Sequence, residues 1–217
     1  SRNSNEYREF WGKLGRGEFQ AGEFSRITKQ GKRIWIEASY NPIFDENGKP
    51  FKVVKFASDI TAKKNQSADY ASQLDAISNA QAVISFNLEG VIYDANSNFL
   101  NALGYSIDEV RGKHHSMFVD ADFRQSEEYR DFWRRLKSGD HFVGRFPRVR
   151  KDGKTIWIQA NYSPIRDALG NIYKVVKYAT DITAQVEAEQ QLQLAVEQVN
   201  EAIEAATAND LTKRVSL

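Results

Sequence analysis

Between Ser126 and Lys137 the apolar residues Tyr129, Phe132, Trp133 and Leu136 fall at i, i+3, i+4 and i+7, with Glu127, Arg130, Arg134 and Arg135 between them. That spacing predicts an amphipathic helix. On either side the pattern shortens to strand-like runs. Upstream, Ala82–Phe86 and Val91–Ala95 flank the turn-forming Asn87-Leu88-Glu89-Gly90 and predict a hairpin. Downstream, Phe142–Arg150, Thr155–Ile165 and Ile172–Ile182 predict a three-strand meander. Its first turn is Lys151-Asp152-Gly153-Lys154 and its second, looser one spans 167–171. Two short helices are predicted before the long one. The first, over 96–103, carries Phe99, Leu100 and Leu103 and stops at Gly104. The second opens with the capping box Ser106-Ile107-Asp108-Glu109 and ends at Gly112. Short helices on one face of a five-stranded antiparallel sheet define an α+β domain. Such a layout leaves room for a cavity between the two layers.

The pattern occurs twice. Glu6-Tyr7-Arg8-Glu9-Phe10-Trp11 returns 122 positions later as Glu128-Tyr129-Arg130-Asp131-Phe132-Trp133. The same offset carries Ile34-Trp35-Ile36 to Ile156-Trp157-Ile158, Lys52-Val53-Val54-Lys55 to Lys174-Val175-Val176-Lys177, and Asp59-Ile60-Thr61-Ala62 to Asp181-Ile182-Thr183-Ala184. A gapless correspondence of this length marks a duplication. The first copy holds only the C-terminal half of the unit, so its last strand is expected to expose an unpaired edge. Beyond Ala184 the chain becomes rich in Gln, Glu and Ala. Leu192, Val196, Val199 and Ile203 alternate steps of four and three, the seam of a coiled coil. The linker between the copies has a weaker stripe at Tyr70, Leu74 and Ile77 and is expected to be helical.

Composition narrows the function classes. The 217 residues are 41% hydrophobic, and 30 basic residues against 29 acidic ones leave a net charge of +1. Without a basic excess there is no general attraction to nucleic acid. Cysteine is absent, which removes disulfides, thiolate metal sites and cysteinyl–flavin photochemistry. No run approaches the ~20 apolar residues of a membrane-spanning helix. The first residues lack both a signal peptide and an initiator Met, so the chain is expected to be part of a longer protein. There is no phosphate loop, nucleophile elbow or dinucleotide fingerprint. The chain is therefore not expected to be an enzyme, and its three histidines, His114, His115 and His141, form no metal site on their own.

Gly104-Tyr105-Ser106-x-x-Glu109-Val110-x-Gly112, Arg150-Lys151-Asp152-Gly153, Trp157, Pro164-Ile165 and Asp181-Ile182-Thr183 together resemble a PAS domain. Trp-Ile-x-Ala-x-Tyr-x-Pro-Ile followed by Lys-Val-Val-Lys is similar to the tandem sensors of bacterial methyl-accepting chemotaxis and aerotaxis-type transducers. Asn209-Asp210-Leu211-Thr212 resembles the end of a HAMP-like connector. The implied organisation is half a PAS domain over 1–62, a connecting helix over 63–78, a complete PAS domain over 79–183, an output coiled coil over 184–208 and the start of a signalling segment over 209–217. The resemblance implies a cytoplasmic, homodimeric sensory input module that acts on a chemotaxis kinase or adaptor through a domain outside this chain. A cofactor-free dimerisation and relay scaffold is the other reading.

The resemblance also suggests site residues. Asp59, Thr61, Asp181, Ile182 and Thr183 would relay strand movement to the helices that follow, besides capping them. Haem would need an axial ligand, for which His114 or His115 are candidates, although both suit a polar helix–loop boundary better. Flavin-binding PAS domains carry an Asn and a Trp where this chain has Arg148 and Phe142. Arg148, with Arg26 in the first copy, could instead pair with an anionic ligand or face solvent. Trp157 could stack on a ligand. The recurrence of Trp11, Trp35, Trp133 and Trp157 in both copies favours packing instead.

Overall fold

The computed structural model describes residues 4–207, which fall into two compact units divided between Asp75 and Ala76. The expected start of a signalling segment over 209–217, and the last residue of the 184–208 helix, lie outside the described residues.

In the first unit, α1 (Asn5–Gly15) is followed by β1 (Gln20–Ile27), β2 (Arg33–Phe44) and β3 (Pro50–Asp59). The three strands form an antiparallel sheet in the order β1-β2-β3, so β3 is an outer strand, as the truncated repeat predicts. Its core is small: Leu14, Ile36, Ala38 and Tyr40 are buried, with Phe10 and Phe24 packed beside them. A helix, α2 (Thr61–Ala80), then runs on into the second unit. It spans four residues more than the 16 expected over 63–78, and Tyr70, Leu74 and Ile77 on it are all exposed.

The second unit continues with β4 (Ala82–Phe86), β5 (Ile92–Ala95), α3 (Ser97–Leu103), α4 (Ile107–Val110), a 3-10 turn (His115–Phe118), α5 (Ala121–Gln125) and α6 (Glu127–Ser138). It closes with β6 (Phe142–Val149), β7 (Thr155–Arg166), β8 (Ile172–Asp181) and α7 (Thr183–Thr207). The sheet is antiparallel in the order β5-β4-β8-β7-β6, which inserts the first strand of the hairpin beside the last strand of the meander. The registers of the two units match residue for residue. Phe24 faces Ile36 and Tyr40 faces Lys55, just as Phe146 faces Ile158 and Tyr162 faces Lys177.

Local chemistry fixes the helix ends. Gly104 adopts a left-handed conformation with φ of 77° and donates to Leu100 O at 2.8 Å, closing α3. Asn96 works in two directions. Its Oδ1 caps α3 at Phe99 N–H, 2.9 Å away, while its Nδ2 donates to Ser78 O at 2.7 Å and Gln81 O at 2.8 Å. The end of α2 is thereby tied to the start of α3. The predicted strand at Val91 begins one residue later, because Val91 instead forms a single bridge with His114.

Candidate functional site

Period-2 alternation decides which strand residues face the helices. From β6 these are Phe142, Phe146 and Arg148, from β7 Ile156, Ile158, Ala160 and Tyr162, and from β8 Val175, Lys177 and Ala179. The helices close over them with Phe99, Phe118, Phe132 and Trp133. His115 enters from the 3-10 turn and is fully buried. Its N–H donates at 2.9 Å to the carbonyl of Gly90, whose backbone has φ of 82°. A Cβ there would lie 2.7 Å from His114 Nε2 and 2.9 Å from the Trp133 ring.

Four polar side chains form a line through this core. Arg148 Nη2 donates to the Tyr162 hydroxyl at 2.8 Å, Tyr162 meets His115 Nε2 at 3.0 Å, and His115 Nδ1 meets the Tyr129 hydroxyl at 2.9 Å. A guanidinium only donates, so Tyr162 accepts from it and is free to pass its own hydrogen to Nε2. The Nδ1–H then donates to Tyr129, and every member has a role. Burial holds the His115 imidazole well below its usual value, reinforced by the charges of Arg148 and Lys177, so the ring is neutral. Burial likewise raises the Tyr162 hydroxyl and pushes that of Tyr129 up to about 12.

Besides the Trp133 indole N–H, two basic groups of this core are left over. Arg148 is 3% exposed and Lys177 0%, and neither Arg148 Nε nor Lys177 Nζ has a hydrogen-bond partner. The Lys177 ammonium lies 5.4 Å from the Phe99 ring centre and 5.1 Å from that of Tyr162. Burial, and secondarily Arg148, hold its pKa well below that of a free lysine. Both side chains line a cavity of about 20 Å³ together with Ala82, Phe99, Leu103, Ile156, Ile158 and Asp181.

Several expectations are corrected here. Arg148 does not face solvent. It sits at an inward position of β6, where its stem packs and its Nη2 finds Tyr162. Trp157 points to the opposite face of the sheet from the cavity, since its neighbours Ile156 and Ile158 point in, so it cannot stack on anything bound there. Of the four repeated tryptophans only Trp133 is a core residue; Trp11 is 43% and Trp35 38% exposed. Phe142 faces inward but packs on Phe132, with ring centres 4.6 Å apart. His115 is no boundary residue, and both its nitrogens are committed to tyrosines. His114 does lie at the boundary, where its Nδ1 accepts from Ser116 N–H at 3.1 Å. Haem therefore finds no free imidazole in this core. The space between the layers, about 20 Å³, is far below the ~300 Å³ at which ligand pockets begin. Among the described residues no His, Cys, Asp or Glu cluster could hold a metal ion, and no helix is long and apolar enough to cross a membrane.

The second set of predicted residues comes together where β8 turns into α7. Thr183 Oγ1 accepts from the Trp157 N–H at 3.0 Å, and the Thr183 N–H donates to Asp181 Oδ1 at 2.9 Å. Ile182 N–H donates to Trp157 O at 2.8 Å, and Ile182 O accepts the first helical bond from Val186 at 3.0 Å. One threonine and one aspartate thus fasten two strands and a helix at a single point. The first unit repeats the latch: Trp35 N–H to Thr61 Oγ1 at 2.9 Å, Thr61 N–H to Asp59 Oδ1 at 2.8 Å. The bonds from Thr61 hold the Asp59 carboxyl below its usual value. Further along α7, Glu189 accepts from Arg145 of β6 at 2.7 Å. Leu192, Val196, Val199 and Ile203 are exposed on this helix, and so is Leu194, which lies off the seam.

Comparison with known proteins agrees with this architecture. The family model for the PAS fold matches residues 3–57 and 92–179. The chain belongs to the PAS-fold family. It is 44% identical over 180 residues to the biofilm dispersion protein BdlA of Pseudomonas aeruginosa, a match covering 83% of this chain and 43% of that protein. It is 32% identical over 79 residues to the aerotaxis receptor of Escherichia coli, covering 36% of this chain and 15% of the receptor. It is 26% identical over 174 residues to the oxygen sensor protein DosP of the same species, covering 77% of this chain and 21% of that protein. The chain spans less than half the length of each of these relatives.

Proposed function

We propose that this chain is the sensory input part of a chemotaxis-type transducer, in which the tandem PAS units pass their state through the Asp-Ile-Thr junctions to the helices that follow. The observation that carries this reading is the Trp157–Thr183–Asp181 latch. It joins β7, β8 and α7 through three short hydrogen bonds, so a shift between the two strands has to move the start of the helix. Its repetition at Trp35, Thr61 and Asp59 supports the same role at the start of α2. The exposed stripe Leu192, Val196, Val199 and Ile203 supports a parallel pairing of α7 with a second copy. The output is a kinase or adaptor of the chemotaxis type, reached through a region beyond α7. Similarity to a receptor and a sensor supports this class.

Thr183→Val separates the relay from a mere helix cap. It keeps the β-branched shape but removes the oxygen that accepts from Trp157. In the full-length protein the variant is expected to unfold within about 5 °C of the wild type, the shift of a ~1 kcal/mol loss. Its kinase output is expected to stay at one level under conditions that change wild-type output. Normal modulation in a folded variant rejects the relay.

A further inference from the structure

The inner core of the second unit contains two basic side chains, each with a polar atom that no hydrogen bond satisfies. Arg148 Nε and Lys177 Nζ are sealed from solvent without a partner, and both side chains line the same small cavity. An unpaired buried charge is costly, and proteins ordinarily avoid it or neutralise it with a counter-charge. Packing gives no reason for a cation here, since a leucine or methionine would fill the space beside Phe99 and Ile158 without the cost.

The duplication supplies a second observation. In the first unit Arg26 Nη2 donates to the Tyr40 hydroxyl at 3.1 Å, and Lys55 Nζ lies 5.3 Å from the Tyr40 ring centre. This is the same arginine–tyrosine–lysine arrangement as Arg148, Tyr162 and Lys177. Both halves of a duplicated chain have kept it, although the first leaves its arginine and lysine exposed and gains nothing from their burial.

We infer that the cavity between Arg148 and Lys177 binds a small monovalent anion, held by the guanidinium Nε–H and the lysine ammonium. The volume of about 20 Å³ admits an occupant of roughly the size of one water molecule. That fits a halide most closely, takes formate as the largest carboxylate, and excludes nucleotides and sugar phosphates. The surrounding Phe99, Leu103, Ile156 and Ile158 keep water from competing for the two donors. Asp181 also borders the cavity; it is exposed at the protein surface, and its Oδ1 accepts from both the N–H and the hydroxyl of Thr183. Lys177 and Asp181 share β8, which connects the site to the latch. As a signal to α7 the anion rests on the relay reading; as a bound ligand it does not.

The test is a titration of the full chain with chloride, formate and acetate, at constant ionic strength set by gluconate, following the melting temperature. A saturable rise with chloride or formate is expected, and which anion acts distinguishes a halide from a carboxylate ligand. Lys177→Met is expected to melt higher than wild type without anion, and to bind at least about tenfold more weakly, the loss of one charge-assisted contact. Arg148→Gln provides the same comparison should the first variant fold poorly. Thr183→Val is expected to bind as wild type does, so failure of the site and failure of the relay are read separately. A crystal soaked in bromide should show an anomalous peak between the two side chains. Identical responses of wild type and both variants, no response to chloride or formate, or a water in place of bromide would each overturn the site.

Discussion

Tyr162 is the residue on which the buried polar line turns. Its oxygen accepts from Arg148 at 2.8 Å and meets His115 at 3.0 Å, and its ring lies beside Lys177. Tyr162→Phe keeps the ring but leaves a guanidinium N–H and an imidazole nitrogen without partners in the core. The expected cost is about 2 kcal/mol. It should appear as a lower urea midpoint at unchanged slope, and an unchanged midpoint would mean the line contributes nothing. At this scale the sequence was only partly legible. Lys177 shares a face with Val175 and Ala179, but Val176 beside it is buried as well, so alternation along β8 does not single the lysine out. His115 gives no sign either, because a 3-10 turn has neither the helical nor the strand period. Arg148 reads as a surface residue on charge alone; the Pro147 carbonyl at 2.6 Å and the hydroxyl of Tyr162, 14 positions along the chain, make its burial tolerable.

Elements were legible wherever a local device sets them. The Asp-Gly turn between β6 and β7, the stripe of α6 and the stop at Gly104 all fall where residue chemistry puts them. The segment 113–125 was not, since its 3-10 turn and α5 are too short to display a period and owe their form to the core beneath them. The capping box of α4 shows how such a short helix is held. The Glu109 carboxylate accepts from the Ser106 N–H at 2.9 Å and from Lys151 of the β6–β7 turn. The bond from Lys151, then that from Ser106, hold Glu109 at about 2 against a usual 4.5. A carboxyl depressed on folding stabilises fully above its unfolded value and loses that contribution as pH falls through its folded one. Glu109→Gln is therefore expected to melt below wild type at neutral pH. The gap should close between pH 4.5 and about 2. A gap that stays constant down to pH 2 would show that the carboxylate charge does not hold α4.

At the scale of the whole chain, the repeat provides an internal control. Ile36 and Tyr40 occupy the same register positions as Ile158 and Tyr162, but the former pair has only a four-residue buried core around it. The latter belongs to a core that runs from Ile84 to Ala179 and includes residues of four helices. Local stability follows the buried apolar contacts around an amide. Amide hydrogens of β2 are thus expected to exchange faster than those at the equivalent positions of β7 in the same sample. Equal rates would mean that the first unit gains its stability from something besides its own core. The outer position of β3 was legible in the sequence, because it depends on the order of elements and not on packing.

Strands β3 and β8 carry nearly the same residues, Lys-Val-Val-Lys-Phe-Ala-Ser-Asp against Lys-Val-Val-Lys-Tyr-Ala-Thr-Asp. The incoming β4 lies along β8 with Ile84 opposite Lys177 and Phe86 opposite Val175. While the chain is collapsing, 82–86 therefore meets two interchangeable templates, one already made upstream and one still to be made. Native pairing has to win by the helices that only the later template gathers over it. A population that loses this race would declare itself in the same exchange measurement, as slow amides over 52–58 where the native chain has an open edge.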